Sequence, residues 1–299
     1  MMTSTNQQIQ HYLTKNEDKA RLLVSCPDKP GIVSSISTFL YEHGANIVES
    51  NQFTTDHEEG TFFLRIVFAS ENMKSKEETI KADFHALADQ FEMTWRMTFL
   101  HELKRTAIFV SKELHCLREL LYEWESGDLV TDIPLVISNH ESAREIVESF
   151  GIPFYYIPAN KEIREEVEEQ QLDLLKEYNI DLIILARYMQ ILTPKFVDSH
   201  PSKIINIHHS FLPAFIGANP HKRAYKRGVK LIGATSHYVT DDLDEGPIIE
   251  QDVIRVDHRN SVNDLKKKGR LIERSVLNRA VKWALEDRVI VHKNKTIVL

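Results

Sequence analysis

From Thr106 onward, short apolar runs alternate with helical patterns, and this order leaves the chain few folds to adopt. The runs 106–110, 133–138, 154–157, 181–185 and 203–207 have strand length and are almost wholly apolar, as strands covered on both faces must be. Helices are predicted between them over 114–125, 142–150 and 161–178. Their apolar positions include Leu117, Leu120, Leu121, Leu172, Leu174 and Leu175, a stripe suited to packing on a sheet. Two longer strands, 230–240 and 247–256, and a helix over 262–285 complete the segment, with Ser261 and Asp264 at capping-box spacing before that helix. The pattern predicts an α/β fold with a mostly parallel, doubly wound sheet.

The residues before it follow a different rhythm. ARLLVSC reads as a short strand, PDKPG as a turn, and IVSSISTFLYEHGAN as a helix with Ile32, Ile36, Phe39 and Leu40 on one face. Strands are predicted over 46–55 and 61–69 across a turn at 56–60, followed by a helix over 74–88 and a strand over 91–100. This βαββαβ order describes a ferredoxin-like sandwich with helices on one face of an antiparallel sheet. The expected organisation is a flexible tail over 1–19, a small domain over 20–101, a charged link, and a second domain over 105–299. A length of 299 residues accommodates two domains, each able to bury a core.

Composition removes several function classes. Cys26 and Cys116 stand alone, so neither a disulfide framework nor a thiolate zinc site is indicated. The polar start MMTSTNQQIQHYLTKNEDKA has no apolar signal core, and no run approaches the roughly 18 apolar residues of a membrane span. A cytoplasmic protein with no membrane partner is expected. The net charge is −7 and the run KEIREEVEEQ is acidic, which argues against a nucleic-acid partner. Lys266 to Lys268 are read as a solvated helix face.

In an open α/β sheet, ligands sit at the carboxyl ends of the strands, here just after Leu185 and Ile207. Alternate side chains of a strand share a face, so Asn206 and His208 point together while His209 points away. An imidazole can take up a proton near neutral pH, and an amide N–H can donate to a carbonyl oxygen as it becomes negative. A carboxylate to hold the imidazole is available among Asp241, Asp242, Asp244 and Glu245, and the residues alone leave the choice open. Gly246 and Pro247 fix a turn after Asp244 and slightly favour it.

The stretch NIHHSFLPAFIGANPHKRAYKRGVKLIGATSHYVTDDLDEGPIIEQ resembles the folate-dependent formyltransferases. The resemblance implies a catalytic set of Asn206, His208 and Asp244. It also implies a folate-binding loop, ARYMQIL, in which Arg187, Tyr188, Met189, Gln190 and Leu192 grip the pteridine, partly through backbone atoms. CPDKPGIVSSISTFLYEHGANI resembles the opening of an ACT domain, implying an amino-acid effector site at Asp28, Gly31, Asn46 and Ile47. A helix N-terminus and a glycine suit such a site, although Asp28 as a helix cap and Gly31 as a packing position account for the same residues. ACT domains pair with further copies, so a homo-oligomer is expected.

The acceptor of the formyl group decides the reaction. Glycinamide ribonucleotide formyltransferases carry a glycine-rich turn after the first strand to cradle a phosphate, whereas here the position reads SKELHCLREL. Methionyl-tRNA formyltransferases append a further domain, while this chain closes on VHKNKTIVL after its last helix. An ACT-like segment ahead of NIHHSFLPAF resembles the formyltetrahydrofolate deformylases. That resemblance implies a hydrolase converting 10-formyltetrahydrofolate to tetrahydrofolate and formate, supplying formate and balancing one-carbon pools for purine synthesis. An amine-accepting formyltransferase and a non-catalytic amino-acid and folate sensor are the competing readings. No P-loop or zinc-ligand spacing occurs, and Ser210 lacks the G-x-S-x-G setting of a nucleophile, so no cofactor, no metal and no covalent intermediate are expected.

Overall fold

A computed structural model of the chain describes residues 4–56, 59–160, 162–214 and 219–299. His57 and Glu58 of the predicted turn, Lys161 at the predicted helix start, and Phe215 to Ala218 of the formyltransferase-like stretch lie outside the described residues. The chain divides into two compact units, Met1–Leu103 with Leu299 and Lys104–Val298.

The first unit contains α1 (Ser4–Asn16), β1 (Lys19–Pro27), α2 (Ile32–Glu42), β2 (Asn46–Thr54), β3 (Thr61–Ala69), α3 (Met73–Gln90) and β4 (Thr94–Phe99). Its antiparallel sheet has the order β2-β3-β1-β4. Ala20, Leu22, Val24 and Cys26 alternate along β1 and pack with Ile36 and Leu40 of α2 and Phe84 of α3, as the period of two requires. The flexible tail expected over 1–19 is not what the structure shows, because Ser4–Asn16 is helical. Ile9, Tyr12, Leu13 and Asn16 recur at helical spacing and are at least half-buried, and the Tyr12 hydroxyl accepts from Arg21 Nη2 at 3.3 Å. That narrow stripe is masked in the sequence by polar neighbours.

The second unit runs β5 (Arg105–Val110), α4 (His115–Glu125), β6 (Asp132–Ser138), α5 (Arg144–Ser149), β7 (Phe154–Tyr156), α6 (Arg164–Glu177), β8 (Leu182–Ala186), α7 (Pro194–Ser199), β9 (Ile204–His208), α8 (Pro220–Arg227), β10 (Leu231–Tyr238), β11 (Ile248–Arg255), α9 (Val262–Leu285), β12 (Val289–His292) and β13 (Lys295–Val298). The main sheet has the order β11-β10-β9-β8-β5-β6-β7. It is parallel from β9 to β7, and β10 is antiparallel to both β9 and β11. On one face, Ile108, Ile184, Ile205 and Ile207 pack with Leu117 and Leu121 of α4 and Val276 and Leu277 of α9. On the other, Phe109, Ile183, Leu185 and Ile204 pack with Val167 and Leu175 of α6 and Phe196 of α7. The chain leaves β5 toward β6 and β7, then returns to lay β8 on the opposite side of β5. The loops after β5 and β8 therefore diverge at a switch point, the place where such sheets open a crevice.

The closing segment VHKNKTIVL belongs to the β12–β13 hairpin, in which Val289 pairs with Val298 and His292 with Lys295. The capping box ahead of α9 is complete: Ser261 Oγ accepts from the Asp264 amide at 3.2 Å and Asp264 Oδ2 accepts from the Ser261 amide at 2.9 Å. Replacing Ser261 with Ala should lower stability by about 1 kcal/mol, seen as a shift of the urea unfolding midpoint with an unchanged slope.

Candidate active site

β9 is flanked by β8, whose Leu185 aligns with Asn206, and by β10, whose His237 lies directly across from Asn206. Side chains paired across a ladder stand on the same face. Asn206 and His237 therefore project together toward the face covered by α6 and α7, and His208 follows on the same side of β9. His209, the first residue beyond β9, does not point away as strand alternation predicts: its ring stacks on that of His208 at 5.2 Å between centroids, because the chain leaves the strand there. The link after β10 turns back through Asp244, whose φ of 61° lies in the left-handed region. Gly246 makes this turn possible, because a Cβ there would fall 1.8 Å from the Tyr238 carbonyl oxygen. The C-terminal hairpin holds the turn from outside: Asn294 Nδ2 donates to the Glu245 carbonyl at 3.1 Å and Thr296 Oγ1 to that of Ile248 at 2.6 Å.

Asp244 Oδ2 lies 3.1 Å from His208 Nδ1, and Oδ1 lies 3.7 Å from His237 Nε2. Asp241, Asp242 and Glu245 are exposed, so of the four acids only Asp244 faces the imidazoles. A carboxylate can only accept, so Nδ1 of His208 carries the proton and Nε2 presents a lone pair. That Nε2 is buried and has no hydrogen-bond partner among the described residues. Burial opposes the Asp244 charge, but hydrogen bonding, led by the N–H of His208, outweighs it and holds the carboxyl well below the usual carboxylate range.

His237 was not singled out by the sequence reading. It is 2% exposed, and its Nδ1 lies 2.9 Å from the Tyr238 carbonyl, which forces the proton onto Nδ1. The remaining lone pair on Nε2 accepts from Asn206 Nδ2 at 3.2 Å. One N–H of the amide is thus anchored, and the second has no hydrogen-bond partner among the described residues. Alternation along ATSHYV places His237 on a face, but only the β9–β10 register reveals that its neighbour is Asn206.

The loop after β8 is pinned at several points. Ser111 Oγ, after β5, donates to Asn139 Oδ1 at 2.7 Å and accepts from the Met189 amide at 3.0 Å. Gln171 Nε2 donates to the Tyr188 hydroxyl at 2.9 Å, and the Thr193 amide and hydroxyl donate to the Glu168 carboxylate. Met189 is exposed, and Gln190 and Leu192 are half-buried. Tyr188 is 6% exposed and packs edge-on against Phe109, so its ring belongs to the core. The Arg187 side chain turns away toward Glu273, leaving only its backbone in the loop.

The four residues assigned to an effector site are not brought together in one copy. Asp28 Oδ2 accepts from Thr54 Oγ1 at 2.9 Å at the far end of β2, and Gly31 has φ of 96°. Asn46 and Ile47 open β2 opposite Ala69 and Phe68, roughly 25 Å away along the strand. With β3 between them, β1 and β2 run parallel, which puts the end of one beside the end of the other. No side chain caps α2, so Asp28 is not its helix cap.

Among the described residues, no helix is long and apolar enough to cross a membrane. Residues 104–281 match the Formyl transferase family and residues 20–85 the ACT domain family. The chain is 66% identical over 298 residues to a formyltetrahydrofolate deformylase of Bacillus subtilis, covering 100% of this chain and 99% of that protein. A solved formyltetrahydrofolate deformylase from Pseudomonas syringae superposes with a TM-score of 0.91 at 42% identity, covering 98% of this chain and 99% of the other. A glycinamide ribonucleotide transformylase from Symbiobacterium toebii gives a TM-score of 0.62 at 27% identity, covering 66% of this chain and 94% of its own.

A carboxyl whose folded-state pKa is depressed contributes stability that is present above its ordinary value of 3.8 and is lost as the pH falls. Wild-type protein should therefore lose stability between about pH 5 and pH 3 more steeply than Asp244→Asn, as measured by urea unfolding across that range. Equal slopes for the two proteins would mean that the carboxyl gains nothing from its imidazole neighbours.

Proposed function

The chain belongs to the formyltetrahydrofolate deformylase family, and from that premise we propose that it hydrolyses 10-formyltetrahydrofolate to tetrahydrofolate and formate at the Asn206, His208 and Asp244 centre. The observation that carries the reading is the buried Nε2 of His208, left as a lone pair by the Asp244 contact and without a protein partner among the described residues.

In this reading, His208 Nε2 removes a proton from water as the water oxygen bonds to the formyl carbon. The carbonyl electron pair moves onto oxygen, where the free N–H of Asn206 donates to it. Asp244 offsets the charge of the resulting imidazolium, which then gives its proton to the departing N10 as the C–N bond breaks. As that bond breaks, the oxyanion pair re-forms the carbonyl, and the formic acid released loses its proton to solvent. His237 serves as a positioning residue, since its bond to Asn206 aims the amide. Met189, Gln190 and Leu192, together with the backbone of Arg187 and Tyr188, line the pteridine.

Water as acceptor is supported by the segment after β5. It reads SKELHCLREL and has none of the glycines that let a phosphate cradle turn its backbone N–H groups toward an anion, and the Ser111 hydroxyl is engaged with Asn139 and the Met189 amide. The released formate would feed one-carbon pools used in purine synthesis.

The first unit is proposed as a regulatory module in a homo-oligomer. β2 is an edge strand with Val48 and Phe53 exposed, an edge that suits pairing with another copy. An effector site using Asp28 and Gly31 with Asn46 and Ile47 would draw the two pairs from different copies.

Purified protein given 10-formyltetrahydrofolate and no amine should release formate stoichiometrically with tetrahydrofolate. His208→Ala should lower kcat by about 10³-fold with circular dichroism unchanged, in line with the loss of a general base. Dependence on an added amine would point to a transferase, and wild-type turnover in His208→Ala would refute the assignment. A screen of amino acids should find one that changes the rate of formate release.

A further inference from the structure

Behind the catalytic face, on the side of the sheet covered by α4, α8 and α9, lies a buried layer of polar side chains to which the reaction assigns nothing. Glu273 of α9 is 2% exposed, and its Oε2 accepts from His115 Nε2 at 2.7 Å and lies 3.4 Å from Arg187 Nε. His209 occupies the same layer, its ring stacked on His208 at 5.2 Å and on His221 at 6.0 Å between centroids. Gly269, one turn before Glu273 on α9, leaves room for this stack, since a Cβ there would come within 2.4 Å of His221 Nε2.

The charges in the layer are settled by their neighbours. Burial opposes ionisation of Glu273, but the His115 hydrogen bond and the Arg187 charge prevail and bring the carboxyl to about 2. Burial, then the Arg187 charge, pushes His209 down to about 3, so its imidazole is neutral near pH 7. Arg187 and Glu273 therefore form a buried ion pair of opposite full charges. Cys116 lies near enough to His115 and Glu273 for the three to hold a metal ion, but the Arg187 guanidinium stands where a dication would be repelled.

Arg187 is also the residue at which the chain leaves β8, and its φ of 64° is left-handed. A side chain in that region is strained and persists only where surrounding contacts hold it. The Arg187 side chain, 13% exposed, is one such contact, because it passes through to the opposite layer and ends on Glu273.

We propose that Glu273 is a positioning residue for the substrate loop: by holding the Arg187 guanidinium behind the sheet, it fixes the left-handed turn that places Met189 to Leu192 against the pteridine. The substrate part of this statement rests on the deformylase reading above, whereas the loop part does not.

Two measurements on the full chain separate the parts. In Glu273→Gln without ligand, hydrogen exchange of the 188–192 amides should rise about tenfold while α9 stays protected. In formate-release assays the same variant should raise KM about tenfold with kcat within about twofold, the signature of weakened binding. Arg187→Met should give the same pattern, and the double variant should add little to either single one. Unchanged loop exchange, additive effects, or a fall in kcat at constant KM would overturn the proposal. If α9 loses protection in Glu273→Gln, Arg187→Met decides, since it leaves the His115 bond to Glu273 in place. Absence of formate release by wild-type protein would overturn the functional reading alone, with the exchange measurement still deciding the loop.

Discussion

The antiparallel pairing of β10 with β9 is the constraint on which the rest of the site depends. A parallel neighbour would bring its chain to the carboxyl end of the sheet from the same direction and carry it away again through a crossover helix. An antiparallel neighbour does two things at once. Its register sets His237 beside Asn206, and its exit through the Asp244 turn returns a carboxylate to His208. The hydrogen-bond directions then follow in sequence. The Tyr238 carbonyl fixes the His237 tautomer, His237 fixes the Asn206 amide, and Asp244 fixes the His208 lone pair.

The two faces of the sheet carry different polar groups. The face that carries Asn206, His208 and His237 meets the loop clamped by Ser111, Gln171 and Glu168. The opposite face holds the Glu273 layer, where charges are enclosed and compensated. A buried carboxylate is costly unless hydrogen bonds and opposite charge surround it, which explains why His115 and Arg187 converge on Glu273. Consecutive histidines thus differ in their surroundings although their rings stack: His208 keeps a buried nitrogen without a partner among the described residues, and His209 is a neutral stacking partner.

Legibility in the sequence follows the range of the interaction involved. Strands β5 to β9, the α4 stripe and the Ser261 capping box are set by residues a few positions apart, and these were readable. Helix α1 escaped because its stripe of Ile9, Tyr12 and Leu13 is narrow and surrounded by polar residues, so tertiary cover rather than propensity makes it helical. The terminal hairpin escaped because its short strands are secured by distant groups such as the Ile248 carbonyl. The pairing of Asp28 and Gly31 with Asn46 and Ile47 failed within one copy because the strand direction set by β3 lay outside local reasoning.

The sequence by itself determined the fold class and the shared face of Asn206 and His208, because strand alternation is a property of the local backbone. Tertiary structure alone decided which of four acids meets the histidine, that His237 bonds to the Asn206 amide, and that the Arg187 side chain ends on Glu273. Each of these depends on the register between strands or on the path of a turn. Those are fixed when the whole sheet packs against its helices, and residues distant in sequence do not encode them pairwise in any local pattern.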